Sequence, residues 1–183
     1  MLKTLRAFFL RRSLRKMLAS QKRRRKTHTL ESARTVGILF DATEEKDRKE
    51  VLHFAQTLEK QRKKVKLLGF IDQQKPLGQT QFPQFTQKEI RWNGSLHSEA
   101  VDAFVAEPFD VMLCLNARQV LPVEWVAAAA QAAMKIGTLT ETPNDFDMVL
   151  ETPAQKGVQY FVDQLELYLH KIVPSKYESA ATL

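Results

Sequence analysis

The chain has 183 residues, 44% of them hydrophobic, one cysteine and a formal net charge of +7. That is room for one ordinary domain with a real core; it excludes an intramolecular disulfide, and no apolar run approaches the ~18 residues that a membrane-spanning helix needs. The charge is unevenly placed: residues 1 to 30 hold 11 cations and no acid, and subtracting these from +7 leaves −4 on the remainder.

The sequence therefore reads as a basic N-terminal arm (1–30), an α/β body (31–173) and a frayed tail (174–183), with every strand and helix assigned to the core placed after Arg34. In the arm, AFFL runs straight into Arg11-Arg12, which is too short for the apolar core of a secretory signal. The Arg-rich, acid-free composition also matches a mitochondrial transit peptide, and composition alone leaves that open. Projected as a helix, Leu2, Leu5 and Phe9 fall on one side, whereas Leu10, Leu14, Met17 and Leu18 fall on another, opposed by Arg11, Arg12 and Arg15. Three uses fit this pattern: a helix directing cations at RNA phosphates, a helix lying on an anionic membrane, and a solvated or self-packed helix. The cations assigned to phosphate contact are Arg11, Arg12, Arg15, Lys16 and the run Lys22, Arg23, Arg24, Arg25 and Lys26.

The body begins with TVGILFD (35–41), a β-branched and aliphatic run suited to a strand buried on both faces. The stretch 43–64 predicts a helix, with acids in its first turn, bases in its last, and Val51, Phe54, Ala55 and Leu58 on one face. VKLLGFID (65–72) is a second strand, so these elements form a right-handed crossover with parallel strands. A Gln-, Pro- and Gly-containing loop follows, then FTQKEIRW (85–92) as a strand ended by Asn93-Gly94. Ser95 or Ser98 caps a helix carrying Ala100, Val101, Phe104 and Val105, and FDVMLCLN (109–116) is the next strand. PVEWVAAAAQAAM (122–134) predicts an Ala-rich helix, KIGTLTE and DMVLE two short strands, and Val158 to Ile172 a final helix stopped by Pro174.

Alternating strands and helices predict a three-layer α/β domain, Rossmann-like or flavodoxin-like, with a mainly parallel sheet. In such sheets ligands bind at the carboxyl ends of strands, where Asp41, Asp72 and Asn116 stand; a polar residue ending a strand is the plainer explanation of each. The six glycines are never spaced as GxGxxG or a phosphate loop, the four histidines are scattered, and no GxSxG is present. Hence no cofactor, metal or catalytic residue is assigned. Cys114, inside the run VMLCL, reads as a buried reduced thiol.

IRWNG before a helix, FDVMLCLN, the Ala-rich helix into MKIG, and NDFDMVLE together resemble a bacterial family, associated with the Bacteroidota, that is known only as a domain of unknown function with a short Lys/Arg-rich leader. The resemblance covers roughly residues 35 to 172 and brings no activity or ligand. It implies a bacterial cytoplasmic protein, which argues against a transit peptide. The expected function is a non-enzymatic RNA-associated protein, a ribosome-bound factor for instance, whose arm supplies affinity through phosphates. The alternative is an enzyme or small-ligand binder using Asp41, Asp72 and Asn116, tethered to membrane or RNA by its arm. Neither reading fixes an oligomeric state.

Overall fold

The computed structural model describes residues 2–169 apart from Ala117, Thr142 and Ala154. Its elements are α1 (Leu2–Ser20), β1 (Thr35–Asp41), α2 (Glu45–Lys60), β2 (Lys64–Ile71), β3 (Gln84–Thr86), α3 (Glu99–Ala106), β4 (Phe109–Leu115), α4 (Leu121–Ala129), β5 (Ala132–Thr138), β6 (Met148–Leu150) and α5 (Gly157–Leu169). The six strands pair in the order β3-β2-β1-β4-β5-β6, every neighbouring pair parallel. This is the Rossmann strand order, in which the order of strand addition reverses between β1 and β4.

Alternation along the central strands fills two cores. Val36, Ile38 and Phe40 of β1 and Val111, Leu113 and Leu115 of β4 face α2 and α5. Leu39, Met112 and Cys114 face the other side, which α3, α4 and α1 cover. Cys114 is buried as expected; burial holds its thiol well above the ordinary range, which keeps it unreactive.

Three expectations are corrected. Residues 85–92 do not form one strand: β3 stops at Thr86, whose side chain accepts from Lys88 N while Glu89 reaches back to the Thr86 backbone, starting a short 3₁₀ turn over Gln87–Glu89. The Ala-rich helix ends at Ala129, and Ala132–Met134 join β5 instead, because pairing with β4 outweighs the helix propensity of alanine. The third concerns the arm: core residues were expected only after Arg34, yet Leu10 and Leu14 are 2% and 3% exposed within the second core. The end of the last predicted helix, from His170 on, and the tail 174–183 lie outside the described residues.

Candidate functional site

Helix α1 lies against α4, on the face of the sheet that α3 also covers. Leu10 and Leu14 sink into it, Met17 and Leu18 pack at its edge, and the Trp125 indole N–H donates to Ser13 Oγ at 3.1 Å. Of the two apolar stripes read from the sequence, that of Leu10, Leu14, Met17 and Leu18 is thus the buried one, and its groove is in this same chain. The turn Trp92-Asn93-Gly94 holds the other end of the contact. Gly94 has φ +78, and a Cβ there would fall on the Phe9 carbonyl, so glycine is required both by backbone conformation and by the close approach of α1. Asn93 Oδ1 accepts from Ser95 N and closes the turn.

The chain leaving α1 is fixed just as firmly. Arg23, with its side chain only 4% exposed, gives a bidentate pair to Asp147 at 2.7 and 2.8 Å and also donates to the carbonyls of Ala132, Ala133 and Asp145. Asp145 also takes the ammonium of Lys135, a fully buried residue of β5 that donates as well to the carbonyls of Ala127 and Ala128. Burial lowers the pKa of Lys135, and the attraction of Asp145 offsets part of that. Lys26 N donates to Ala133 O, which ties the basic run to the start of β5.

Of the nine cations assigned to phosphate, eight remain exposed: Arg11, Arg12, Arg15 and Lys16 on the outer face of α1, and Lys22, Arg24, Arg25 and Lys26 beyond it. Arg25 leans on Asp147 at 3.4 Å while staying largely in solvent. Arg23 is the exception. Its guanidinium is consumed by Asp145 and Asp147, and the five-cation run is therefore four surface charges around one structural anchor. Its partners lie more than 120 residues away, so the sequence run gives no sign of the difference. Arg11, Arg12 and Arg15 share a shallow groove with Phe8.

At the opposite functional candidate, the sheet brings Asp41, Asp72 and Asn116 to one end, and each is engaged. Asn116 Oδ1 accepts from Asp41 N at 2.6 Å, bridging the parallel strands β1 and β4 at the point where the strand order reverses. Asp41 accepts from the Thr43 N–H and hydroxyl and pairs with Arg118 at 2.9 Å. That pairing raises the pKa of Arg118 further. Asp72 N donates to the Thr43 hydroxyl, and Asp72 Oδ1 accepts from Gln87 at 2.7 Å. In a dinucleotide-binding fold the pyrophosphate would sit at the start of α2, but Glu44, Glu45 and Asp47 stand there beside Asp41. Burial, and then repulsion from Glu50, Asp41 and Glu44, raises the Asp47 pKa. A phosphate would meet the same negative field. A cleft of about 510 Å³ lies between α1 and the ends of β2 and β3, lined by Arg6, Leu10, Asp72, Gln87, Ile90 and Leu121. Among the described residues no His, Cys, Asp and Glu cluster could hold a metal, and no helix is long and apolar enough to cross a membrane.

No curated protein and no solved structure matches this chain. A family model does, from residue 6 to residue 172, so the match includes most of α1 and the whole basic run as well as the sheet. The segments behind the sequence resemblance acquire a physical role here: the Trp92-Asn93-Gly94 turn seats α1, while Asp145 and Asp147 of NDFD hold Arg23 and Lys135 of MKIG pairs with Asp145. The chain belongs to the family of unknown function DUF6913.

Proposed function

We propose that this protein is a non-enzymatic RNA-associated factor of the bacterial cytoplasm, a ribosome-bound one for instance, with the outer face of α1 and the following basic run as its phosphate-binding surface. One observation carries this reading: α1 is clamped on the body by Leu10, Leu14 and Ser13, so Arg11, Arg12, Arg15 and Lys16 are held outward together, within a stretch that has no acid before Glu31. A cation array fixed before binding loses less side-chain and backbone freedom on meeting a polyanion than a free arm would. The membrane alternative is weakened by the same packing, since Leu10 and Leu14, which would enter lipid, are already in the core.

Changing Arg11, Arg12, Arg15 and Lys16 to Gln tests the reading. The variant should fold as the parent does and lose RNA affinity similarly across sequences, with the log–log salt slope flatter by about 3 units at ~0.7 per single-strand phosphate contact. An unchanged slope sinks the assignment.

The cleft of about 510 Å³ beside Asp72 and Gln87 favours a second reading, a small ligand bound at the strand ends. Asp41→Asn and Asp72→Asn discriminate the two. The RNA reading expects the cellular role to survive both changes, and its loss in a folded, normally abundant variant favours the ligand reading.

A further inference from the structure

The exposed cations are not alone on this surface. Phe8 is 59% exposed in the groove formed with Arg11, Arg12 and Arg15, and Trp92, from a turn more than 80 residues later, is 73% exposed. Phe9 lies between the two rings, edge-to-face with Phe8 (5.6 Å, 75°) and with Trp92 (6.4 Å, 86°). Exposed Arg91 precedes Trp92 in the chain. The sequence alone places only Phe8 and Phe9 in the arm; the seating of Gly94 under Phe9 adds the tryptophan.

From this juxtaposition we infer that the surface binds single-stranded RNA, with bases stacked on Phe8 and Trp92 and the intervening phosphates on Arg11, Arg12, Arg15 and Arg91. The inference rests on the proposed RNA reading and sharpens it from phosphate contact to strand type. Stacking needs a ring face open to solvent and a cation close by for the adjoining phosphate: Phe8 shares its groove with three arginines, and Trp92 directly follows exposed Arg91 in the chain. A duplex hides its base faces and offers them nothing. A bilayer suits the site poorly, because a membrane-surface helix separates an apolar stripe from its charges, whereas here Phe8 is ringed by three arginines on one face. Both rings project from rigid supports: Phe8 from a helix fixed by Leu10 and Leu14, Trp92 from a turn closed by Asn93 and pressed against α1. Stacking is indifferent to base identity, so the site tolerates any sequence.

The test uses the full chain and an oligouridylate of about a dozen nucleotides, with an RNA duplex of equal length and phosphatidylcholine–phosphatidylglycerol vesicles as controls. Phe8→Ala and Trp92→Ala should each weaken oligouridylate binding roughly tenfold or more while leaving the salt slope and the melt unchanged. Phe8→Tyr and Trp92→Phe, which keep a ring, should retain most of the affinity, and duplex binding should not respond. Salt-dependent oligouridylate binding that ignores both alanine changes overturns the stacking inference and leaves the phosphate reading standing. No salt-dependent RNA binding by the parent overturns both. Vesicle binding lost in the alanine variants, without RNA binding, assigns the rings to lipid and overturns the inference.

Discussion

The face of the sheet under α2 and α5 and the face under α1, α3 and α4 are closed by different means. The first is sealed by two helices with wide apolar stripes: Val51, Phe54, Ala55 and Leu58 on α2, and Val158, Phe161, Val162 and Leu165 on α5. The second is covered by the short helices α3 and α4, and is completed by a highly charged helix that contributes Leu10 and Leu14 and leaves its arginines in water. One face is thus closed by apolar stripes alone and carries none of the residues assigned to RNA. On the other, the element that completes the core also carries the surface assigned to RNA, so charge and fold cannot be separated by cutting the chain at residue 30.

Cutting the chain at residue 30 has the largest expected effect. Deleting residues 1 to 30 removes two buried leucines, each worth about 2–5 kcal/mol when truncated to alanine, together with the Arg23 clamp. Against a total stability of roughly 5–15 kcal/mol, the shortened chain should show no cooperative urea transition. A cooperative melt near that of the parent makes α1 an appendage after all.

Next is a contrast within the basic run. Arg23→Ala leaves Asp147 without its bidentate partner and should cost about 3 kcal/mol, whereas Lys22→Ala, at an exposed neighbour, should stay within about 0.5 kcal/mol. The order should invert for RNA: Lys22→Ala lowers affinity, and Arg23→Ala in the fraction that stays folded changes it little. Chemical denaturation and binding titrations on the two variants read both effects.

Gly94→Ala sharpens the contact from the opposite side. It forces a left-handed φ on alanine and pushes Cβ onto the Phe9 carbonyl, for an expected loss of about 1–3 kcal/mol in the same denaturation assay.

The smallest effect is a pH dependence away from the basic segment. Asp110 Oδ2 accepts from Arg34 N (2.7 Å) and Thr35 N (3.0 Å) where the chain enters β1. Burial pushes its carboxyl up, but the N–H groups of Thr35 and Arg34 outweigh that and hold the pKa below the usual value. The folded pKa being the lower one, the contribution is present above the unfolded value of about 3.9 and is lost as pH falls through the folded pKa. Asp110→Asn should flatten the acid limb of stability, measured by urea melts between about pH 5 and 2; an unaltered limb removes the assignment.

How much of this could be read in the sequence follows from the range of each interaction. β1, β2, β4, α2 and the described part of α5 announce themselves because local periodicity and tertiary burial agree there, and the alternation of strands and helices gives the parallel α/β class. Where they disagree, the structure departs: alanines 132 and 133 have helix propensity but pair with β4 in the sheet. The candidate site was half legible. Composition marks the cations, and the stripe of Leu10, Leu14, Met17 and Leu18 marks a buried face, but not whose groove receives it. Arg23 looks identical to Arg24 until Asp145 and Asp147 arrive from the loop before β6, and Trp92 reads as the end of a strand until Gly94 meets Phe9. The strand-end residues Asp41, Asp72 and Asn116 do converge as read, yet on one another and on Thr43, Gln87 and Arg118.

That α1 is a core element with a charged outer face is tested most directly by native-state hydrogen exchange on the free, full-length protein. Amides of α1 around Leu10 to Leu14 should be protected to nearly the same free energy as those of β1 and β4, opening only with the whole domain. Exchange in α1 at the rate of an unstructured peptide, while β1 and β4 stay protected, would contradict the account.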